Sequence, residues 1–186
     1  MRYDTINQVI QNVGAKSYLE IGFQRGINFA LIDCKNKLAV DPNPSSHHPS
    51  CLVLDSDSFF ETNDQKFDVI FIDGLHVYEQ VKRDFENSVQ ALNKGGAICL
   101  HDMSPKNSEY ARSFADGGQW NGDCYKLVVD LYAGIYKYKY YTGSVIDDHG
   151  VTVVFPDQIE EREVKPVDHS FEWFDNNRVA VLKEAK

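Results

Sequence analysis

Basic residues are in short supply. The 186-residue chain sets 19 Lys and Arg against 28 Asp and Glu, a formal net charge of −9, and no Lys/Arg cluster offsets that excess. Tracking a phosphate backbone needs such a cluster, so nucleic-acid binding is excluded as a function class. Also missing is any apolar run near the ~20 residues that span a bilayer as a helix, so no membrane-spanning helix is expected. Met1-Arg2-Tyr3-Asp4 leads straight into a polar amphipathic segment, so no signal peptide is expected and a cytoplasmic setting is. Cysteine is sparse and scattered: Cys34, Cys51, Cys99 and Cys124 make no C-x-x-C pair, and reduced thiols are the economical reading. His47-His48 has no third ligand nearby and is read as surface. Repeats and low-complexity tracts are absent, which leaves one domain over residues 1–186.

What the sequence does have is concentrated in residues 67–102. Phe67–Ile72 is a nearly unbroken apolar run, as in a strand buried on both faces of a parallel sheet. Val77, Val81, Phe85, Val89 and Leu92 then recur at helical spacing. Gly95-Gly96 is expected to stop that helix, and Ala97–Leu100 to form the next buried strand. Parallel strands joined by a helix end side by side, so Asp73 and His76 should meet His101 and Asp102 at the ligand-binding edge of an open α/β sheet.

The flanking chain follows the same alternation. Asp4 is an expected N-cap for a helix that ends at Gly14, and residues 16–22 form a first strand. Gly22-Phe-Gln-Arg-Gly26 turns into a short helix running through Ile32. Lys37–Val40 is a second strand ending in Asp41-Pro42, and Cys51–Leu54 a third. The link between them is too short for the usual crossover helix. Asp57 or Ser58 should cap a helix over Phe59–Asn63. Residues 103–121, polar and Gly-rich, suggest a lid over the ligand edge. Asp123 should cap a helix over Cys124–Tyr132. Tyr136–Val145 and Val151–Phe155 form an edge hairpin turning through 147–150. The tail, residues 157–186, holds a helix starting at Ser170 with Phe171, Phe174, Val181 and Leu182 on one face.

The Gly22–Gly26 turn lacks the Gly-x-Gly-x-x-Gly of a dinucleotide site, so a pyrophosphate would be poorly housed. Glu20-x-Gly22-x-x-x-Gly26 instead resembles motif I of class I S-adenosylmethionine-dependent methyltransferases. With Asp41, Asp55-Ser56, Ile72-Asp-Gly-x-His76, Gly95-Gly96, His101-Asp102 and Trp120-Asn-Gly-Asp123, the resemblance extends to a bacterial subfamily often associated with polysaccharide or natural-product sugar biosynthesis. It implies a Rossmann-like sheet of seven strands, mostly parallel, with an antiparallel terminal hairpin and helices on both faces. It implies S-adenosylmethionine as methyl donor, held by Glu20, Gly22, Gly26, Asp41, Asp55, Ser56 and Asp73, and a small-molecule or saccharide acceptor.

Methyl transfer to a hydroxyl requires alignment and loss of a proton. His76, supported by Asp73 and His101, suits the base role, because an imidazole titrates near neutrality. The favoured arrangement, however, has Asp73 and Asp102 share a divalent ion such as Mg²⁺, since two unpaired carboxylates in one crevice repel. Met103 departs from relatives that follow the second acid with another oxygen ligand. Two other readings stay open: a nucleotide- or nicotinamide-binding oxidoreductase on a similar sheet, and a non-catalytic binding protein. The acceptor's identity and the oligomeric state, a homo-oligomer included, are not legible.

Overall fold

The computed structural model describes residues 1–115, 120–143 and 148–184. Seven strands form one sheet in the order β3-β2-β1-β4-β5-β7-β6. They are β1 (Ser17–Ile21), β2 (Asn36–Val40), β3 (Cys51–Leu52), β4 (Phe67–Ile72), β5 (Leu92–Leu100), β6 (Tyr138–Gly143) and β7 (Val151–Ile159). β1 to β5 pair in parallel, while β7 runs antiparallel to both β5 and β6. The helices are α1 (Arg2–Val13), α2 (Ile27–Leu31), α3 (Ser56–Thr62), α4 (Tyr78–Ala91), α5 (Tyr125–Ala133) and α6 (Phe171–Leu182). None is long and apolar enough to cross a membrane among the described residues.

The apolar run of β4 is explained by the two layers around it. Val69 and Phe71 enter the core shared with Ile6, Val9 and Ile10 of α1, and Ile70 and Ile72 enter the opposite core with Val81 and Phe85 of α4. Successive strand side chains point to opposite faces, so burial on both sides demands apolar residues at every step. Asp68 is the exception and is fully occupied. It accepts from the amides of Lys16 and Ser17 at 2.7 and 3.0 Å and from Asn93 Nδ2 at 2.7 Å.

Several boundaries differ from the sequence reading, each for a local reason. α1 begins at Arg2, with Asp4 inside its first turn; Gly14, left-handed at φ 65°, ends it as expected. β3 keeps only two of its four expected residues, and no helix fills the link before it. α3 begins at Ser56 because Asp55 is its cap, accepting from the Ser58 amide at 2.8 Å. α4 ends at Ala91, and Gly95-Gly96 lies inside β5, where the pairing with β4 shifts register between Phe67 and Val69. Asp123 caps α4 rather than α5: its Oδ1 accepts from the Tyr78 amide at 2.7 Å, and Cys124 at the N-cap position of α5 makes no side-chain cap. β7 runs on to Ile159, while α6 starts at the Ser170 cap as anticipated. His48 is half-buried, with its ring 5.2 Å from that of Phe29. Part of the expected lid, 116–119 with Gly117-Gly118, lies outside the described residues. Its near end is folded down: Met103 and Ser104 are buried, and Arg178 of α6 holds Ser104 Oγ and the Pro105 carbonyl at 2.8 and 2.7 Å.

Candidate active site

The C-terminal ends of β1, β2, β4 and β5 open into one cavity of about 870 Å³, within the range of small-molecule sites. At one end lies the glycine turn after β1. A Cβ on Gly22 would sit 2.1 Å from the Asp73 carbonyl oxygen, so only glycine lets the turn pass so close to the end of β4. Gly26 is the left-handed residue before α2, packed against the Phe23 ring. Asp41 at the end of β2 organises the same turn. Its Oδ2 accepts from the amides of Phe23 and Gln24 at 3.0 and 2.7 Å, and its Oδ1 from that of Asn43 at 2.8 Å. Those two turn amides are therefore already used within the protein. Asp55 and Ser56 line the same end.

Glu20 is buried at 1% exposure, and its carboxyl accepts from Tyr18 Oη at 2.5 Å and Asn28 Nδ2 at 2.8 Å. Burial dominates over those two bonds and pushes its pKa up to about 7. The other amide atom of Asn28, Oδ1, has no partner, though its residue lines the cavity.

At the other end the four residues read from the sequence do come together. His101, 4% exposed, places Nδ1 3.0 Å from Asp73 Oδ1 and Nε2 3.0 Å from the Asp148 carbonyl oxygen. A carbonyl only accepts, so Nε2 carries a proton. Burial works against a charged ring, but Asp73 and Asp102 outweigh it and hold the His101 pKa well above its ordinary value. His101 is thus a clamp between strands, not a proton acceptor. His76 is more open. Its Nδ1 is 3.2 Å from both Asp102 Oδ2 and the Trp120 carbonyl, and its Nε2 is 3.4 Å from Asp73 Oδ1. Its ring is tilted 30° against that of Trp120 at 5.3 Å. Burial lowers its pKa and Asp73 and Asp102 raise it, with a net upward shift. For Asp73, burial opposes ionisation, yet His101, His76 and Arg2 keep its pKa depressed.

Four further residues belong to this end; only Asn121 lay in a stretch singled out above, and no local pattern marks Arg2, Asp148 or His149. Asn121 donates Nδ2 to Asp102 Oδ1 at 2.5 Å and leaves its own buried Oδ1 unpartnered. Arg2 from α1 reaches Asp73, while Asp148 and His149 arrive from the turn before β7. Antiparallel pairing of Leu100 with Thr152 sets that turn beside His101. Gln24, Asp102 and His149 are non-glycine residues with φ of 49°, 61° and 53°, and all three line the cavity. Strained backbone of this kind persists where the surroundings over-determine it, as they do at functional sites.

Residues 19–103, from β1 to just beyond β5, match a family described as a methyltransferase domain. That match is consistent with a class I methyltransferase. The fold agrees. An SAH-bound methyltransferase, PaMTH1 of Podospora anserina, is 15% identical with a TM-score of 0.59, covering 86% of this chain and 78% of its own. TomG, an O-methyltransferase of tomaymycin synthesis from Streptomyces achromogenes solved with SAM, is 12% identical with a TM-score of 0.60, covering 83% and 78%. The sugar N-methyltransferase KedS8 from Streptoalloteichus is 12% identical with a TM-score of 0.58, covering 86% and 87%. No curated protein sequence matches.

The cavity's size and lining fit S-adenosylmethionine, a cation with two ribose hydroxyls. The wall offers acceptors in excess: Asp41, Asp55 and the orphaned Asn28 Oδ1. The match to Mg²⁺ is poor. Asp73, His76 and Asp102 each place a donor atom within 4.8 Å of the others, but one donor is an imidazole nitrogen, and Mg²⁺ demands near-octahedral oxygen coordination. The carboxylates also face Arg2, the two histidines and Asn121.

Proposed function

We propose that the protein transfers a methyl group from S-adenosylmethionine to a hydroxyl of a small molecule or saccharide, with His76 taking the hydroxyl proton. The observation that carries this reading is the continuity of one cavity, from the Gly22 turn and Asp41 to His76, Asp102 and Trp120. Gly22, Gly26 and Asp41 shape the cofactor end, Asp41 has lone pairs left for ribose hydroxyls, and Asp55 and Ser56 border the adenine. Glu20 acts one layer below, through Asn28. When bound, S-adenosylmethionine supplies an electrophilic methyl whose carbon–sulfur bond breaks to a neutral thioether as the acceptor oxygen bonds to carbon.

The rest is done by the chain. Asp73 and Asp102 hold the His76 ring from two sides and raise its basicity, which fits it to accept a proton once deprotonated. Trp120 and the free Asn121 Oδ1 give a hydroxylated acceptor one flat apolar face and one acceptor atom, features that suit a sugar ring. This deprotonation is assigned to His76 rather than to a metal-bound hydroxyl.

The test has two parts. S-adenosylhomocysteine should bind in a calorimetric titration, and Asp41→Ala should weaken it by ~1.5–3 kcal/mol, roughly tenfold to a hundredfold. With labelled cofactor and a panel of hydroxylated acceptors, His76→Ala should lose about 10²–10⁴ in rate while still binding the cofactor. The wild-type rate should rise with pH through and beyond the ordinary histidine range, because the raised pKa keeps His76 protonated at lower pH. A wild type that does not bind S-adenosylhomocysteine would end the methyltransferase reading. A His76→Ala protein of normal rate would end the assignment of the base.

A further inference from the structure

Arg2 is the first residue of α1, far in sequence from the β4–α4–β5 unit, and its side chain ends inside the carboxylate cluster. Nη1 lies 2.5 Å from Asp73 Oδ2, Nη2 3.0 Å from Asp148 Oδ1, and Nε 3.2 Å from Asp148 Oδ2. The Arg2 amide also donates to Asp148 Oδ2 at 2.6 Å. The guanidinium therefore bridges two acids that enter from different strands, one of them in a two-pronged contact. The side chains of Asp73 and Asp148 are only 15% and 11% exposed, so solvent screens the contact weakly.

We propose that the Arg2 guanidinium is the resident cation of this cluster, standing where a divalent ion would otherwise neutralise Asp73, and that it positions Asp73 for chemistry needing no metal. Two unpaired carboxylates would call for such an ion; here a group that never deprotonates supplies the charge. An ion on Asp73 would meet the guanidinium on the same carboxylate and be repelled. The remaining donors are turned inward as well: Asp102 Oδ1 holds Asn121, and His76 spans Asp73 and Asp102. The residue after Asp102 is Met103, fully buried and with no side-chain oxygen to offer. Arg2 thus acts through Asp73 as a positioning residue. The inference rests on the methyltransferase reading only for its activity arm, since ion occupancy is measured directly.

The experiment titrates chelator-treated full-length protein with Mn²⁺ alone and reads free ion by electron paramagnetic resonance. Wild type should show no saturable binding. Arg2→Met should gain one Mn²⁺ site, tighter by about 10- to 100-fold than any binding by wild type, and Arg2→Met with Asp73→Asn should lose it. Arg2→Lys, which keeps a charge, should behave as wild type. Turnover by wild type should be unchanged in EDTA. Stoichiometric Mn²⁺ binding by wild type that Asp73→Asn removes would overturn the proposal, and so would an Arg2→Met protein that folds yet gains no ion. If Arg2→Met fails to fold by circular dichroism, the wild-type titration decides alone, saturable binding overturning the proposal and its absence supporting it. S-adenosylhomocysteine calorimetry on the same samples separates failure here from failure of the methyltransferase reading.

Discussion

Glu20 holds a carboxyl in a position where ionising costs free energy. Its folded pKa of about 7 lies above the ordinary 4.5, so between these values the folded protein binds more protons than the unfolded chain. The sign follows directly: the stabilisation is fully present below pH 4.5 and is lost as pH rises through about 7. The shift corresponds to ~3 kcal/mol. Glu20→Gln keeps a partner for Tyr18 and Asn28 but cannot ionise. Urea unfolding at pH 5 and pH 7.5 should show a smaller loss of stability across that interval in the variant than in wild type; equal losses would show that Glu20 titrates normally. Gly122 makes a second case. It is left-handed at φ 70°, and a Cβ there would lie 1.7 Å from the His76 carbonyl oxygen. Gly122→Ala must therefore strain its own backbone, by ~1–2 kcal/mol, and push the turn that carries His76. The expected outcome is a rate loss larger than the loss of stability by urea unfolding explains.

At the level of elements, the helix that follows the His76 turn is held at its start by a residue from another segment. Asp123 accepts from the Tyr78 amide and pairs with Lys126 Nζ at 2.7 Å, so the start of α4 and the first turn of α5 share one carboxylate. Asp123→Ala should cost ~1–2 kcal/mol in chemical denaturation, and Asp123→Asn much less, because an amide oxygen still caps. This element also shows where sequence reasoning reached and where it stopped. β4 was legible to the residue because burial on both faces forces an unbroken apolar run. The ends of α4 and β5 were not: glycines that look like a helix stop are absorbed into a strand whose pairing with β4 changes register. Asp123 sits two residues before α5 and has the look of its cap, yet its Oδ1 caps α4 across the domain.

Over the whole molecule, Asp73, His76, His101 and Asp102 could be brought together from sequence because one right-handed β–α–β crossover fixes their neighbourhood. Arg2, Asp148 and His149 could not, because the docking of α1 delivers the first and the antiparallel return of β7 beside β5 the other two, and no local pattern encodes that adjacency. The bond between Arg2 and Asp148 spans 146 positions in the chain, and it fastens the first helix to the edge hairpin. Such a clasp cannot form until both outer elements have docked on the central strands, and loop closure over that distance is costly before it is rewarded. The protein should therefore open in two stages under mild denaturant. Backbone amides of β6 and β7 should exchange with solvent through a lower-energy opening than those of β4, and Arg2→Lys or Asp148→Asn should lower the first barrier while leaving the second unchanged. Identical exchange energies throughout would show a single cooperative block. In the two-stage case a partly opened molecule keeps the Gly22 turn and the ends of β4 and β5 while Asp148 and His149 leave the cavity wall, so the carboxylate of Asp73 loses its tethered neighbours before the central sheet gives way.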